Sequence, residues 1–230
     1  MTDASDNGKA EEVVYISSKF RSMLEAYLID AAKSMNRCSD LLDLFDTLES
    51  TQAGSSQDQR DDLLRAIVVL THACMEDCLR TVARYALPDS SREALDDVPF
   101  YLEGRPVPKV SLGYLAEHKD LTIGDFVARS VDMHMDRVSF SSTSEVVGLL
   151  RRLGISLDHD GLLSSLGEMI QRRHEIVHRA DVCKASRSPA KLDPKKVREW
   201  FGAVGGLVIA VAAGLVERDG KHNKLRRADA

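Results

Sequence analysis

The sequence predicts an all-α protein built as an up-and-down bundle of helices, and three observations lead to this prediction. No glycine or proline interrupts residues 9–53, where apolar residues recur at the spacing of one helix face. Residues 58–86 and 161–178 show the same periodicity. No alternation of apolar and polar residues is long enough to build a sheet.

The two N-terminal helices are predicted to differ in their surroundings. The first, residues 9–53, would be roughly 55 to 60 Å long if continuous. We therefore expect it either to kink near Asn36 or to project toward a partner. The second, residues 58–86, carries an apolar band too wide for a surface helix, which predicts a central position. Pro88 ends this second helix because proline cannot continue the hydrogen-bond pattern.

Residues 88–142 are predicted to form an irregular and partly helical insertion on the bundle. Residues 88–113 hold four prolines and two glycines with little periodicity, and a short hairpin is compatible with Glu103-Gly104. Further along, Thr122 is the predicted N-cap of a helix that spans residues 122–138.

The C-terminal part of the chain is predicted to contain a short helix, the 161–178 helix and a closing helix. Gly154 ends the short helix, residues 144–153. Asp193-Pro194 begins the closing helix, since an N-cap residue followed by proline is a strong start signal, and the helix runs to about Arg218. The uncharged run 200–216 contains four glycines and has charges on both sides, so a buried bundle or dimer helix is favoured over a membrane span.

One domain accounts for the chain, whose 230 residues are 43% hydrophobic. We expect a single helical domain at 11–218, a disordered polar tail at 1–10 and a disordered basic tail at 219–230. Residues 1–10 lack the pattern of a signal peptide. The four cysteines form no C-x-x-C pair, so we expect them to be reduced and mostly buried and the protein to be cytoplasmic.

Positive charge is concentrated in the C-terminal part of this acidic chain. The net charge is -5, but residues 1–140 carry 15 Lys and Arg against 25 Asp and Glu, whereas residues 141–230 carry 16 against 11. Such a local cluster can hold phosphates even on an acidic protein. Nine basic residues fall within 172–198: Arg172, Arg173, Arg179, Lys184, Arg187, Lys191, Lys195, Lys196 and Arg198.

A zinc-binding pattern, H-E-x-x-H, lies at the end of the 161–178 helix. His174 and His178 share one helix face, as two zinc ligands would, and Glu175 could act as a general base. No third ligand is evident, because Lys184 stands where a histidine would complete the longer protease motif. The neighbouring arginines also disfavour a dication, so the zinc hydrolase is the third-ranked hypothesis and we expect no metal or other cofactor.

The same segment contains a second pattern, an arginine and a histidine suited to metal-free cleavage of RNA. An imidazole can take the proton of a ribose 2′-hydroxyl or protonate the leaving oxygen, while a guanidinium stabilises charge on the phosphate. Arg173 and His178 fit this chemistry, and Arg129 and His134 have the same spacing within the insertion. Five positions on a regular helix correspond to roughly 140° of rotation, so Arg173 would not stack over His178.

At Arg173-His174-Glu175-Ile176-Val177-His178 the sequence resembles the HEPN superfamily, in particular its prokaryotic RiboL-PSP-HEPN-like ribonuclease branch. Members carry an arginine, four to six residues and a histidine at the end of the third core helix, with Asn, Asp or His after the arginine. The acidic central helix around Glu76, the Leu-Leu-Arg-Arg-Leu-Gly-Ile stretch at 149–155 and the Asp-Pro start of the closing helix are also similar. The resemblance covers roughly residues 60–218.

The resemblance implies a HEPN-type bundle with a defined catalytic set. Arg173 would steady the phosphate, His178 would be the acid or base, His174 would orient them, and Glu76 would brace the arginine. Flanking phosphates would be bound by a further basic set: Arg172, Arg179, Lys184 and Arg187.

The implied function is a metal-independent RNA endonuclease that leaves 2′,3′-cyclic phosphate and 5′-hydroxyl ends, as in a toxin or an anti-phage effector. Family members pair so that two motifs face one cleft, which implies a homodimer with a composite active site, RNA as the partner, and an antitoxin or regulatory protein as a further one. We expect no membrane association. The alternative hypothesis is a non-catalytic HEPN-like module that binds RNA or a nucleotide or serves as an accessory subunit.

Overall fold

The computed structural model describes residues 18–51, 56–157, 160–179, 181–182 and 190–228. Over these ranges the chain forms eight helices and one two-stranded hairpin. The elements are α1 (Ser18–Thr51), α2 (Gln57–Ala86), α3 (Arg92–Leu95), β1 (Phe100–Leu102), β2 (Arg105–Val107), α4 (Leu112–Glu117), α5 (Ile123–Met135), α6 (Thr143–Arg152), α7 (Asp160–Arg179) and α8 (Pro194–Ala228). The predicted mostly helical class with a long N-terminal helix is confirmed.

Helix α2 is the centre of the bundle, as its wide apolar band predicts. It packs against α1, α7 and α8 on the bundle side and against α5 of the insertion. Three of its residues, Ile67, Met75 and Val82, are fully buried. Helix α1 is one helix from Ser18 to Thr51 and packs along both α2 and α8. Because α2 packs against α7, the position of each polar side chain along α2 determines which part of α7 it faces.

Several helix ends follow the predicted local signals. Thr122 caps α5 through a reciprocal capping box with Asp125, and the Asp193 carboxylate accepts a hydrogen bond from the backbone of Lys195 at the start of α8. Gly154, at φ +72°, follows the last residues of α6 in the left-handed conformation that glycine favours. These three predictions are confirmed.

The insertion contains the predicted hairpin. Leu102 pairs with Arg105 in antiparallel register, and the two turn residues Glu103 and Gly104 both have positive φ, as a two-residue hairpin turn of this kind requires. The insertion is joined to α2 by ion pairs from Arg84 to Asp132 of α5 and to Asp136, which directly follows α5. It therefore packs on the central helix.

Helix α8 extends to Ala228, past the end predicted near Arg218. A helix already nucleated on a core gains one hydrogen bond per added residue, so it can continue into a charged segment. Among the described residues, one helical segment, Pro194–Gly220, is long and apolar enough to cross a membrane by length and composition, and 39% of its most apolar window is buried within the protein. The core helix of a soluble protein passes the same test.

Two glycines of α8 allow close approach by other parts of the same chain. A Cβ at Gly214 would lie 2.6 Å from Cγ2 of Ile155, and a Cβ at Gly206 would lie 2.9 Å from Cδ1 of Leu162. At Gly202, by contrast, a Cβ would meet nothing within 4 Å. The glycines at 206 and 214 therefore serve packing inside the bundle.

Candidate functional site

Two exposed histidines lie side by side at the C-terminal end of α7. The ring centroids of His174 and His178 are 4.7 Å apart, with the planes tilted by 48°. The residues are one helical turn apart, so their side chains project from the same face. Both are exposed to solvent. The structure thus brings together two of the predicted site residues, as a pair of accessible imidazoles.

Arg173 is the neighbour of His174 in sequence but differs from the histidine pair in its surroundings. It is half-buried, and its charge acts on the buried ring of His72 on α2. The Arg173 Nε atom is buried without a hydrogen-bond partner. Among the described residues no hydrogen bond joins Arg173 to His178, in keeping with the rotation between positions five apart on a helix. Arg173 also forms no ion pair with any of the described residues.

Glu76 belongs to a polar network that anchors residues 138–140 to α2. Its carboxylate accepts a hydrogen bond from the backbone N–H of Phe140 at 3.0 Å and lies 3.3 Å from the guanidinium of Arg80. Arg80 donates to the carbonyl of Val138, and His72 Nε2 donates to the carbonyl of Phe140 at 3.2 Å. The Glu76 carboxylate thus interacts with Arg80 and with the backbone of Phe140. The His72 ring of this network is also affected by the charge of Arg173.

The environment of His72 keeps its ring neutral. Burial lowers its pKa from the ordinary value of 6.5, the nearby Glu76 carboxylate opposes this shift, and the positive charge of Arg173 adds to it. A neutral ring suits the single hydrogen bond that Nε2 donates to Phe140. Sequence reasoning did not find His72, although its position one turn before Glu76 on the same helix face was a usable signal.

Arg172, the neighbour of Arg173, is held in a buried clamp. Its guanidinium lies 2.7 Å from the carboxylate of Asp181, which also pairs with Arg65 of α2 at 2.7 Å. Both arginines donate to the carbonyl of Ala190 at 3.0 Å. Asp181 is only 3% exposed and has a φ of +56°. The clamp joins α2, α7 and the two ends of the connection that leads to α8, which gives Arg172 a structural role.

Glu175, the candidate general base of the zinc hypothesis, is held on the helix surface. It accepts a hydrogen bond from Gln171 at 3.0 Å and pairs with Arg172 at 3.2 Å. The hydrogen bond from Gln171 and the interaction with Arg172 lower its pKa. Across the described ranges no group of three or more His, Cys, Asp and Glu side chains is arranged to hold a metal ion.

The remaining predicted phosphate-binding residues are placed as follows. Arg179 is the exposed last residue of α7 and lies next in sequence to His178. Lys184 and Arg187 fall outside the described residues. The end of α7 thus exposes one arginine and two imidazoles to solvent.

Fold and contacts define a mostly helical protein with an accessible histidine pair at the end of one core helix. Comparisons of the chain with protein-family models, with curated proteins and with solved structures find no match.

Proposed function

We propose that this protein is a metal-independent RNA endonuclease of HEPN type whose site lies at the end of α7. The observation that carries the proposal is the contrast between two adjacent arginines. Arg172 is neutralised by Asp181 and Glu175, whereas the half-buried Arg173 has no carboxylate partner among the described residues. Buried polar groups are nearly always partnered, so the buried, unpartnered Nε of Arg173, next in sequence to the exposed His174, supports an anionic ligand at this helix end.

The histidine pair supplies the acid and base that cleavage of RNA requires. One imidazole takes the proton from the ribose 2′-hydroxyl while the 2′-oxygen attacks phosphorus. The other, as imidazolium, gives a proton to the 5′-oxygen as the P–O5′ bond breaks. The products are a 2′,3′-cyclic phosphate and a 5′-hydroxyl. We assign these roles to His174 and His178, with Arg173 stabilising the charge on the phosphate.

Arg179 extends the proposed phosphate-binding surface, because it is exposed next to His178. The proposal further includes a homodimer in which two α7 ends face one cleft, RNA as the partner in a cytoplasmic setting, and a toxin or anti-phage role restrained by a partner protein. A second copy would bring a second set of these arginine and histidine side chains to the same cleft.

A second candidate function is a non-catalytic module that binds RNA. It is favoured by the different surroundings of Arg173 and His178: the arginine is half-buried and acts on His72, whereas the histidine is exposed. Binding needs only the cationic surface, whereas cleavage needs the arginine and the histidines on one phosphate.

Incubation of the full chain with structured RNA, with and without EDTA, separates these functions. We expect cleavage that survives EDTA and falls by roughly 100-fold or more in Arg173→Ala, His174→Ala and His178→Ala. His118→Ala, a histidine stacked on Tyr114 in the insertion, is the matched control and retains activity. RNA binding without cleavage would establish the second function, and loss of cleavage in EDTA with recovery in zinc would overturn both.

A further inference from the structure

A cavity lies on the insertion side of the bundle, where it is lined by residues of α3, the end of α5 and α6. Its volume is about 680 Å³, which is within the range of small-molecule sites. Its lining includes two arginines, Arg151 and Arg152, and three carboxylates, Glu93, Asp97 and Glu145. None of the residues of the H-E-x-x-H segment contributes to its lining. The cavity is therefore a site separate from the histidine pair.

The two arginines that line this cavity have no ionic partners among the described residues. Neither Arg151 nor Arg152 forms an ion pair or a side-chain hydrogen bond within the described ranges, although Arg152 is half-buried. His134, also half-buried, lines the same cavity, and its ring lies near enough to Arg152 to feel its charge. Two free guanidiniums and an imidazole in one concave surface form a recognition site for a phosphate group.

The carboxylates and apolar residues of the lining are suited to the ribose and base of a nucleotide. Asp97 and Glu93 are exposed carboxylates, and no ion pair joins either of them to the cavity arginines. Carboxylates in such positions accept hydrogen bonds from ribose hydroxyls. The half-buried Val138 offers apolar surface to a base, whereas the other apolar lining residues, Phe140, Ala94 and Leu149, are almost fully buried.

The wall of the cavity is held in place before any ligand binds. Val138 and Phe140 belong to the segment that Arg80, Glu76 and His72 fix to α2 through backbone hydrogen bonds. A fixed wall lowers the entropic cost of binding. Since His72 also neighbours Arg173, the same network connects this wall to the end of α7.

We propose that this cavity is a binding site for a ribonucleotide, with the phosphate held by Arg151 and Arg152 and the ribose directed toward Asp97. The two unpaired guanidiniums would hold the anionic phosphate, and the carboxylate of Asp97 would accept hydrogen bonds from the ribose. Binding at this site does not require that the protein cleaves RNA.

Isothermal titration of the full chain with AMP, GMP, CMP and UMP tests the assignment. We expect at least one nucleotide to bind at least about tenfold more tightly than its nucleoside, because the nucleoside lacks the charged group that the arginines recognise. Equal affinity for nucleotide and nucleoside overturns the phosphate assignment. Inorganic phosphate that binds as tightly as the best nucleotide overturns the ribose and base assignment.

Variants locate the binding in this cavity. The double variant Arg151→Ala/Arg152→Ala should bind the best nucleotide about tenfold or more weakly than the unaltered protein does. Arg129 is an exposed arginine of α5 outside the lining, so Arg129→Ala should leave the affinity for the nucleotide unchanged. Thermal unfolding of each variant confirms that it is folded. In the unaltered protein, ring signals of His134 in NMR spectra should shift on addition of the nucleotide, and signals that stay fixed would overturn the site without any variant.

Discussion

The guanidinium of Arg173 on α7 acts on the buried ring of His72 on α2, across the interface between the two helices. His178, five residues further along α7, instead packs its ring against His174 on the exposed face. The two members of the arginine and histidine pattern thus have different neighbours at one helix end. Arg173 connects the proposed site to the polar network of Glu76 and Arg80.

Replacement of Arg173 should change the titration of His72. The Arg173 charge lowers the pKa of His72, so Arg173→Ala should raise that pKa toward its ordinary value, although burial continues to lower it. NMR titration of the histidine ring protons measures the shift. Arg179→Ala removes an exposed arginine of the same helix and should leave His72 unchanged. Equal behaviour of the two variants would contradict the placement of Arg173 beside His72.

Acid should destabilise the protein through His72. The unfolded chain takes up a proton at this residue near its ordinary pKa of 6.5, whereas the folded chain takes it up only at lower pH. The stability contributed by the neutral ring is therefore present above about pH 6.5 and is lost as the pH falls toward the lowered pKa. Urea denaturation between pH 7.5 and 5 measures this loss.

His72→Gln keeps a side-chain donor near Phe140 but cannot titrate, so its unfolding free energy should vary less with pH over the same interval. His118→Gln is the control, since that ring is outside the bundle and should leave the pH dependence as it is in the unaltered protein. If the unfolding free energy of His72→Gln depends on pH as steeply as that of the unaltered protein, the acid sensitivity comes from other groups.

Local signals carried most of the information about helix ends, whereas long-range partnerships were not readable from the sequence. Thr122, Gly154 and Asp193 act through neighbours within a few residues, so their roles followed from the sequence. Asp181 is different, because its partner Arg65 is 116 residues away.

The same limit applied to the candidate site. Spacing placed His174 over His178, and the structure does the same. Charge alone grouped Arg172 with Arg179 as phosphate-binding residues, but only the fold shows that Arg172 is paired with Asp181. Which residues share a cavity with His134 also depends on how the insertion packs on α6.

Loss of the Asp181 charge should be among the most destabilising single changes in the chain. Asp181→Asn leaves Arg65 and Arg172 partly buried without their shared carboxylate, and breaking a buried pair in this way costs about 3–5 kcal/mol of unfolding free energy. Asparagine tolerates the positive φ at this position, so the change isolates the charge.

Asp62→Asn is the matched control for Asp181→Asn. Asp62 pairs with the same Arg65, but its side chain is 77% exposed, so its removal should cost less than about 1 kcal/mol. Urea denaturation at neutral pH compares the two variants. Similar losses for both would show that the buried carboxylate contributes no more than the surface one.

Two glycines of α8 should respond in opposite directions to alanine. Gly214→Ala places a methyl group 2.6 Å from Cγ2 of Ile155, and overpacking of this kind costs about 1–3 kcal/mol. Gly202→Ala adds a methyl group where nothing lies within 4 Å, so the better helix propensity of alanine should stabilise the chain by about 0.5–1 kcal/mol. Thermal unfolding measures both changes, and light scattering records the oligomeric state of each variant. If Gly202→Ala lowers the melting temperature and weakens a dimer, the open face at Gly202 is covered by a second copy; if the dimer persists with raised stability, the dimer uses another surface.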